Sequence, residues 1–157
     1  MSYLEEMRPD HYPALYEILR EHDPTFDADS YDQFVCIFNG LSGWTVMKGG
    51  KVIGMIALSH HTPGHNIMVH FFVDPECRGR WVTRSILRAL FGHIFGTLGL
   101  VRATTLLVVG INDESLRKVT EHLGFTAEGK TRKGIKIKGQ FMDVITFGML
   151  REECKWA

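Results

Sequence analysis

The chain has 157 residues, 45% hydrophobic and 23% charged, with 18 Lys and Arg balancing 18 Asp and Glu. That profile predicts one globular domain with enough apolar side chain to bury a core. Zero formal net charge gives no global field to draw the chain to nucleic acid or an anionic membrane, and no apolar run approaches the roughly 20 residues that cross a bilayer. MSYLEEMRPD lacks the basic and apolar regions of a signal peptide. Cys36, Cys77 and Cys154 are widely spaced and form no CxxC pair, which predicts reduced thiols in a cytoplasmic protein and neither a disulfide framework nor a metal site. His60, His61 and His65 flank TPGH, a turn signal, and read as turn and surface histidines, not ligands.

Helical spacing of Tyr12, Leu15, Tyr16, Ile18 and Leu19 predicts a helix over 10–21, with Asp10 as its cap. Phe34, Ile37 and Phe38 predict a second over 30–38, ended by Gly40 and Gly43. WTVMKGGKVIGMIALS reads as a hairpin, strands 44–48 and 51–59 about a GG turn. NIMVHFFV, 66–73, is apolar almost throughout and predicts a central strand. A wide apolar stripe predicts a helix over 82–97. RATTLLVVG, 102–110, is a strand, followed by a helix with Asn112 or Asp113 at its start and Gly124 just past its end. Strands 125–138 and 141–149, joined at Gly139-Gln140, close the chain. The order α-α-β-β-β-α-β-α-β-β predicts a single α/β domain over 1–157 with a mixed, mostly antiparallel sheet flanked by helices.

DPECRGRWVTRSILRAL, 74–90, carries the first functional signal. An apolar strand, a short Arg/Gly loop and a long helix make an anion site, because first-turn amides lack intrahelical partners and the helix dipole favours negative charge there. Gly79 lets backbone approach a phosphate, and Arg78 and Arg80 add charge. Residues 73–90 resemble the acyl-CoA loop of the GNAT N-acetyltransferase superfamily, V-x-P-x-x-R-G-x-G-x-G/A followed by a helix. Val73, Pro75, Arg78, Gly79 and Leu87 match; Trp81 stands at the second glycine position and Thr83 at the final small one. The stretch from Ser115 to Glu153 resembles the RimJ/RimL-like branch through Ser115, Glu121, Leu123, Gly124, Phe125, Glu128, Gly129, Arg132, Gly139, Asp143, Leu150 and Glu153, although Ser115 lies one residue farther from Gly124 than usual. The resemblance covers about 44–153.

The resemblance implies transfer of an acetyl group from acetyl-CoA, as co-substrate and without metal, to a primary amine by direct attack in a ternary complex. It implies that the pantetheine arm enters a splayed central pair of strands and pairs with backbone of Phe71, Phe72 and Val73. The pyrophosphate is expected on Arg78, Gly79, Arg80, Trp81, Val82 and Thr83, with Trp81 as the first helical residue and its backbone amide still available. Asn112 is the expected partner of the pantetheine amides, and Ser115 is expected to contact the cofactor as well. A primary amine is mostly ammonium at neutral pH, so a base is useful. His65, His70 and Glu128 are the candidates; His70 lies in an apolar run where burial favours the neutral form, or where it is simply a core histidine. Glu128 and Arg132 share a strand face and read as an exposed pair. The tyrosine that protonates the thiolate in many family members is here Thr120, leaving Ser115 as the alternative hydroxyl.

Lys130, Arg132, Lys133, Lys136 and Lys138 make the last hairpin basic, either as a solvated strand face or to attract an acidic peptide or the adenosine 3′-phosphate. The expected acceptor is an amine-bearing small molecule, peptide or protein, and the expected state a monomer or homodimer. A non-catalytic GNAT-fold module, an acyl-CoA sensor or assembly component, remains open through Trp81 and Thr120. A nucleic-acid-binding domain is disfavoured by neutral charge and the lack of an aromatic-basic stripe.

Overall fold

The mostly apolar run 66–73 becomes a strand over the predicted residues. The structure, a computed structural model, describes residues 1–77, 81–111 and 113–157. The elements are β1 (Ser2–Glu6), α1 (Tyr12–His22), α2 (Tyr31–Asn39), β2 (Ser42–Lys48), β3 (Lys51–Thr62), β4 (Asn66–Val73), α3 (Arg84–Phe91), β5 (Arg102–Val108), α4 (Asp113–Leu123), β6 (Thr126–Ile137) and β7 (Gln140–Leu150). They form a mixed α/β fold with a seven-stranded sheet in the order β1-β2-β3-β4-β5-β7-β6. The pairs β1/β2, β2/β3, β5/β7 and β6/β7 are antiparallel. β4 and β5 are parallel, through a ladder from Asn66↔Arg102 to Met68↔Thr104. β1 precedes the predicted order. It escapes a hydrophobic reading because its most buried residue is Ser2 and it ends on two glutamates.

The chain groups into two compact units. The first, Met1–Ser59 with Val69–Arg88, is built on an aromatic cluster. Phe34 is fully buried between Tyr12, at 5.9 Å, and Phe38, at 4.2 Å between ring centroids. Met55 and Ala57 of β3 floor this cluster and Phe72 of β4 packs against it. His11 is buried behind β1: its Nδ1 lies 2.7 Å from Thr45 Oγ1 and its Nε2 3.2 Å from a Glu5 carboxylate oxygen, tying β1 to β2. Gly43 lies inside β2 instead of breaking the chain: its φ is 143°, and a Cβ there would collide with Ile56 backbone. The predicted GG turn forms, with Gly49 and Gly50 at φ 59° and 76°, the left-handed pair that suits a two-residue hairpin.

The second unit is His60–Met68 with Ala89–Ala157. The helix predicted over 82–97 starts two residues later, at Arg84, and changes pitch: after Phe91 it continues as a π-helical turn, Gly92–Thr97, in which Leu98 N–H reaches His93 O at 2.8 Å. Phe91 stacks on Phe95 and meets Phe125. The turn between β6 and β7 is Lys138-Gly139, at φ 49° and 81°, one residue before the predicted position. β6 is an edge strand with register shifts at Ala127/Gly129 and Thr131/Ile135.

Candidate active site

The end of β4 sorts its side chains by alternation. Phe72 packs on the aromatic cluster, whereas Phe71 turns to the opposite face and meets Trp81, ring centroids 6.5 Å apart. Gly54 of β3 allows β4 to pass close, since a Cβ there would collide with Phe72 O. Asp74 then organises the exit. Its N–H donates to Ile53 O at 2.7 Å, its carboxylate accepts from Glu76 N–H at 3.0 Å, and its carbonyl accepts from Cys77 N–H at 2.8 Å. An Asp-Pro pair at a strand end is a turn signal of this kind, and sequence reading passed over it.

Trp81 and Val82 precede the helix. Thr83 is its N-cap: the side-chain oxygen accepts from Ile86 N–H at 3.2 Å, three residues on, and Leu87 N–H reaches Thr83 O. Trp81 is therefore not the first helical residue. It sits in a bend three residues before Arg84. Its indole is 8% exposed and lies against Phe71, so the bulk that replaces the glycine is directed inward. Arg78, Gly79 and Arg80 lie outside the described residues, as does Asn112.

His70 is half-buried, not fully buried, and its Nε2 lies 2.6 Å from Ser59 Oγ on β3, a partner that the sequence did not suggest. In the second unit, Ser115 is exposed in the first turn of α4. The Thr120 hydroxyl donates to Leu116 O at 2.7 Å, so its proton is engaged by its own helix. Glu128 pairs with Arg102 and not with Arg132: both guanidinium nitrogens reach the carboxylate, at 3.2 and 2.6 Å. The register shift at Ala127/Gly129 explains the change, because it takes Glu128 out of strict alternation. His65 closes the turn before β4, where its carbonyl accepts from Val101 and Arg102 N–H. Asp143 accepts from Lys133 N–H at 2.8 Å and faces Lys130 at 3.5 Å; these contacts hold its carboxyl below the usual range. Among the described residues, no group of three His, Cys, Asp or Glu side chains is placed to hold a metal ion.

The strand, Asp74 turn and capped helix fall within a match to the acetyltransferase (GNAT) family, which takes in residues 4–125 and so includes α1 and α2, where the sequence showed no motif. The Bacillus subtilis (strain 168) protein named "Putative ribosomal N-acetyltransferase YdaF" is 29% identical over 109 residues, 69% of this chain and 58% of that protein. "SPbeta prophage-derived uncharacterized N-acetyltransferase YokL" of the same organism is 37% identical over 76 residues, 48% of this chain and 42% of that one. The chain thus spans about half the length of the curated relatives it matches. Spermidine N-acetyltransferase from Vibrio cholerae, solved in complex with CoA and spermine, shares the fold at a TM-score of 0.80 and 16% identity, over 97% of this chain and 96% of that one. With the family match running through most of its length, the chain belongs to the acetyltransferase (GNAT) family.

Proposed function

We propose that the protein transfers an acetyl group from acetyl-CoA to a primary amine, by direct attack of the amine in a ternary complex. The observation that supports this reading is the packing of the buried Trp81 on Phe71, at the position where the family pattern has glycine. The residue in the glycine position is buried against Phe71. A capped helix start offers amides and the positive end of a dipole, which suit a pyrophosphate. The residues assigned to acetyl-CoA are the backbone of Phe71, Phe72 and Val73, the loop from Arg78 to Thr83, and Asn112. Thr83 contributes by fixing where the helix begins.

Acetyl-CoA supplies a thioester whose C–S bond breaks as the amine nitrogen forms its bond to carbon, and one amine proton must finish on the thiolate. Holding the two reactants together supplies much of the rate. His70, oriented by Ser59, is assigned to accept the amine proton, and Ser115 to donate to the sulfur. Glu128, bound through both oxygens to Arg102, is assigned to ordering β6 instead of proton transfer. The second reading, an acyl-CoA-binding GNAT module without turnover, draws on Thr120, whose proton is already donated to Leu116 O.

Incubation with acetyl-CoA and a panel of amines (polyamines, lysine peptides, protein N-termini, aminoglycosides), read by mass spectrometry, tests the proposal. The expected result is an acetylated amine with an equal yield of free CoA. Tight acetyl-CoA binding with no acetylated product from any acceptor class would favour the second reading.

A further inference from the structure

The hairpin of β6 and β7 brings together residues that the sequence keeps apart. Residues 129–142 carry Lys130, Arg132, Lys133, Lys136 and Lys138 with no Asp or Glu. Phe141 lies on the other strand from these cations, so no aromatic-basic stripe is visible along the chain. The register assembles one. Lys136 pairs with Phe141 and Lys130 with Ile145, and residues two apart along β7 share a face. Lys130, Lys136, Phe141 and Asp143 therefore lie on one face of the hairpin, while Ile137 is buried on the other. Phe141 stands 62% exposed, with Lys136 Nζ 5.6 Å from its ring centroid. Farther along the same face, the register shift at Thr131/Ile135 takes residues 132–134 out of the ladder, with Lys133 at φ 50°. Such a bulge re-aims side chains, and the result is a recess lined by Lys130, Thr131, Arg132, Lys133 and Asp143. Its three cations outnumber its one carboxylate, which is already engaged by Lys133 N–H and Lys130.

We propose that this face of the hairpin binds single-stranded nucleic acid, with phosphates against Arg132, Lys133 and Lys136 and a base stacked on Phe141. An exposed ring beside cations suits a single strand, because every base has a stacking face and its backbone follows the charge. Lysines on an edge strand also discourage stray strand pairing, and β6 is an edge. That role accounts for the cations but not for a large aromatic left exposed among them. An acidic peptide would use the cations too, but an apolar anchor on a peptide needs a pocket to fill. Phe141 offers an open ring, and the recess on its face is lined by charged and hydroxyl-bearing side chains. Zero net charge removes long-range steering, not contacts made within a screening length of about 8 Å at physiological salt.

Fluorescence anisotropy of a labelled oligouridylate of about a dozen nucleotides, titrated with the full chain, tests this. Binding is expected, and with about three phosphates neutralised it should weaken about 20-fold between roughly 50 and 200 mM salt. Phe141→Ala is expected to weaken binding about tenfold with the salt dependence unchanged, whereas Phe141→Tyr keeps the affinity. Arg132→Gln/Lys133→Gln is expected to cut the salt dependence by about two-thirds. These side chains are exposed, so the melting temperatures of the variants are expected to match the wild type. Saturating CoA is expected to leave the complex intact. No binding at the lower salt, a Phe141→Ala protein that binds as well as the wild type, or an unchanged salt dependence in the double variant would each overturn the proposal. So would displacement by CoA, which would place the strand on the cofactor loop. Displacement by oligoglutamate as effective as by unlabelled oligouridylate would also overturn it, and would identify an acidic-peptide surface instead.

Discussion

Glu128 reaches Arg102 across Gly148. A Cβ on Gly148 would collide with the Glu128 carboxylate, so β7 is bare where the ion pair lies over it. The three residues sit on adjacent strands: Thr126 pairs with Gly148, and Arg102 with Leu150. Alanine in a strand is ordinarily better than glycine by roughly 0.5–1 kcal/mol. Here it displaces the carboxylate and forfeits a surface ion pair worth at most about 1 kcal/mol. Gly148→Ala is therefore expected to be nearly neutral, while its coupling to Glu128 is not. Glu128→Ala should cost up to about 1 kcal/mol in the wild-type background and almost nothing in the Gly148→Ala background. A double-mutant cycle by urea denaturation measures the difference; equal costs in both backgrounds would contradict the geometry.

Trp81→Gly should destabilise the protein by about 3 kcal/mol, the scale of removing a buried aromatic, because the indole packs on Phe71 and is 8% exposed. Acetyl-CoA affinity should stay within a few-fold. Denaturant melts with calorimetry separate the two effects. A stable variant whose affinity rises by orders of magnitude would mean that Trp81 plugs the site.

Thr120→Val should leave turnover near wild type, since its hydroxyl already serves Leu116 O. Ser115→Ala should lower kcat about tenfold or more, with KM little changed, as expected for a group that acts only in the transition state. Steady-state kinetics on the best acceptor decides. Full activity of Ser115→Ala would mean that solvent protonates the thiolate.

Asp143 gives the protein an acid-sensitive point. The Lys133 amide and Lys130 hold its carboxyl below the ordinary range. The folded form therefore binds its proton at lower pH than the unfolded chain. Its stabilisation is complete above the unfolded value and is lost as pH falls through the folded one. A carboxyl NMR titration should place Asp143 below a model carboxylate, with Lys133 amide protection lost over the same interval. Asp143→Asn should abolish that dependence; a titration at the model value would contradict it.

Much of this architecture is legible in the residues. NIMVHFFV is apolar almost throughout, interrupted only by His70 after Asn66, and forms β4 over the predicted span. The Gly49-Gly50 turn is legible because two glycines advertise left-handed backbone, whereas Lys138-Gly139 is displaced by one residue because a lysine fills the first left-handed position. β1 is hidden because a serine faces inward, and the pitch change after Phe91 is hidden because the apolar stripe runs through it. At the site, pattern matching places Trp81 on the helix; only the Thr83 hydroxyl, bonded to Ile86 N–H, shows where the helix begins. Glu128's partner is invisible for a similar reason: a register shift, not strand alternation, determines it.

The claim that matters most is that the loop between β4 and α3 holds acetyl-CoA. Titration calorimetry of acetyl-CoA into the wild type and Gly79→Asp tests it most directly. A carboxylate at that position would collide with and repel a pyrophosphate. The account predicts clear binding to the wild type, stabilising the fold by about 2.7 kcal/mol at 100 times the dissociation constant. It predicts at least about a tenfold loss of affinity in Gly79→Asp, with the melting temperature of the free protein little changed. Equal affinity in the two proteins, or no heat of binding to the wild type at millimolar ligand, would contradict it.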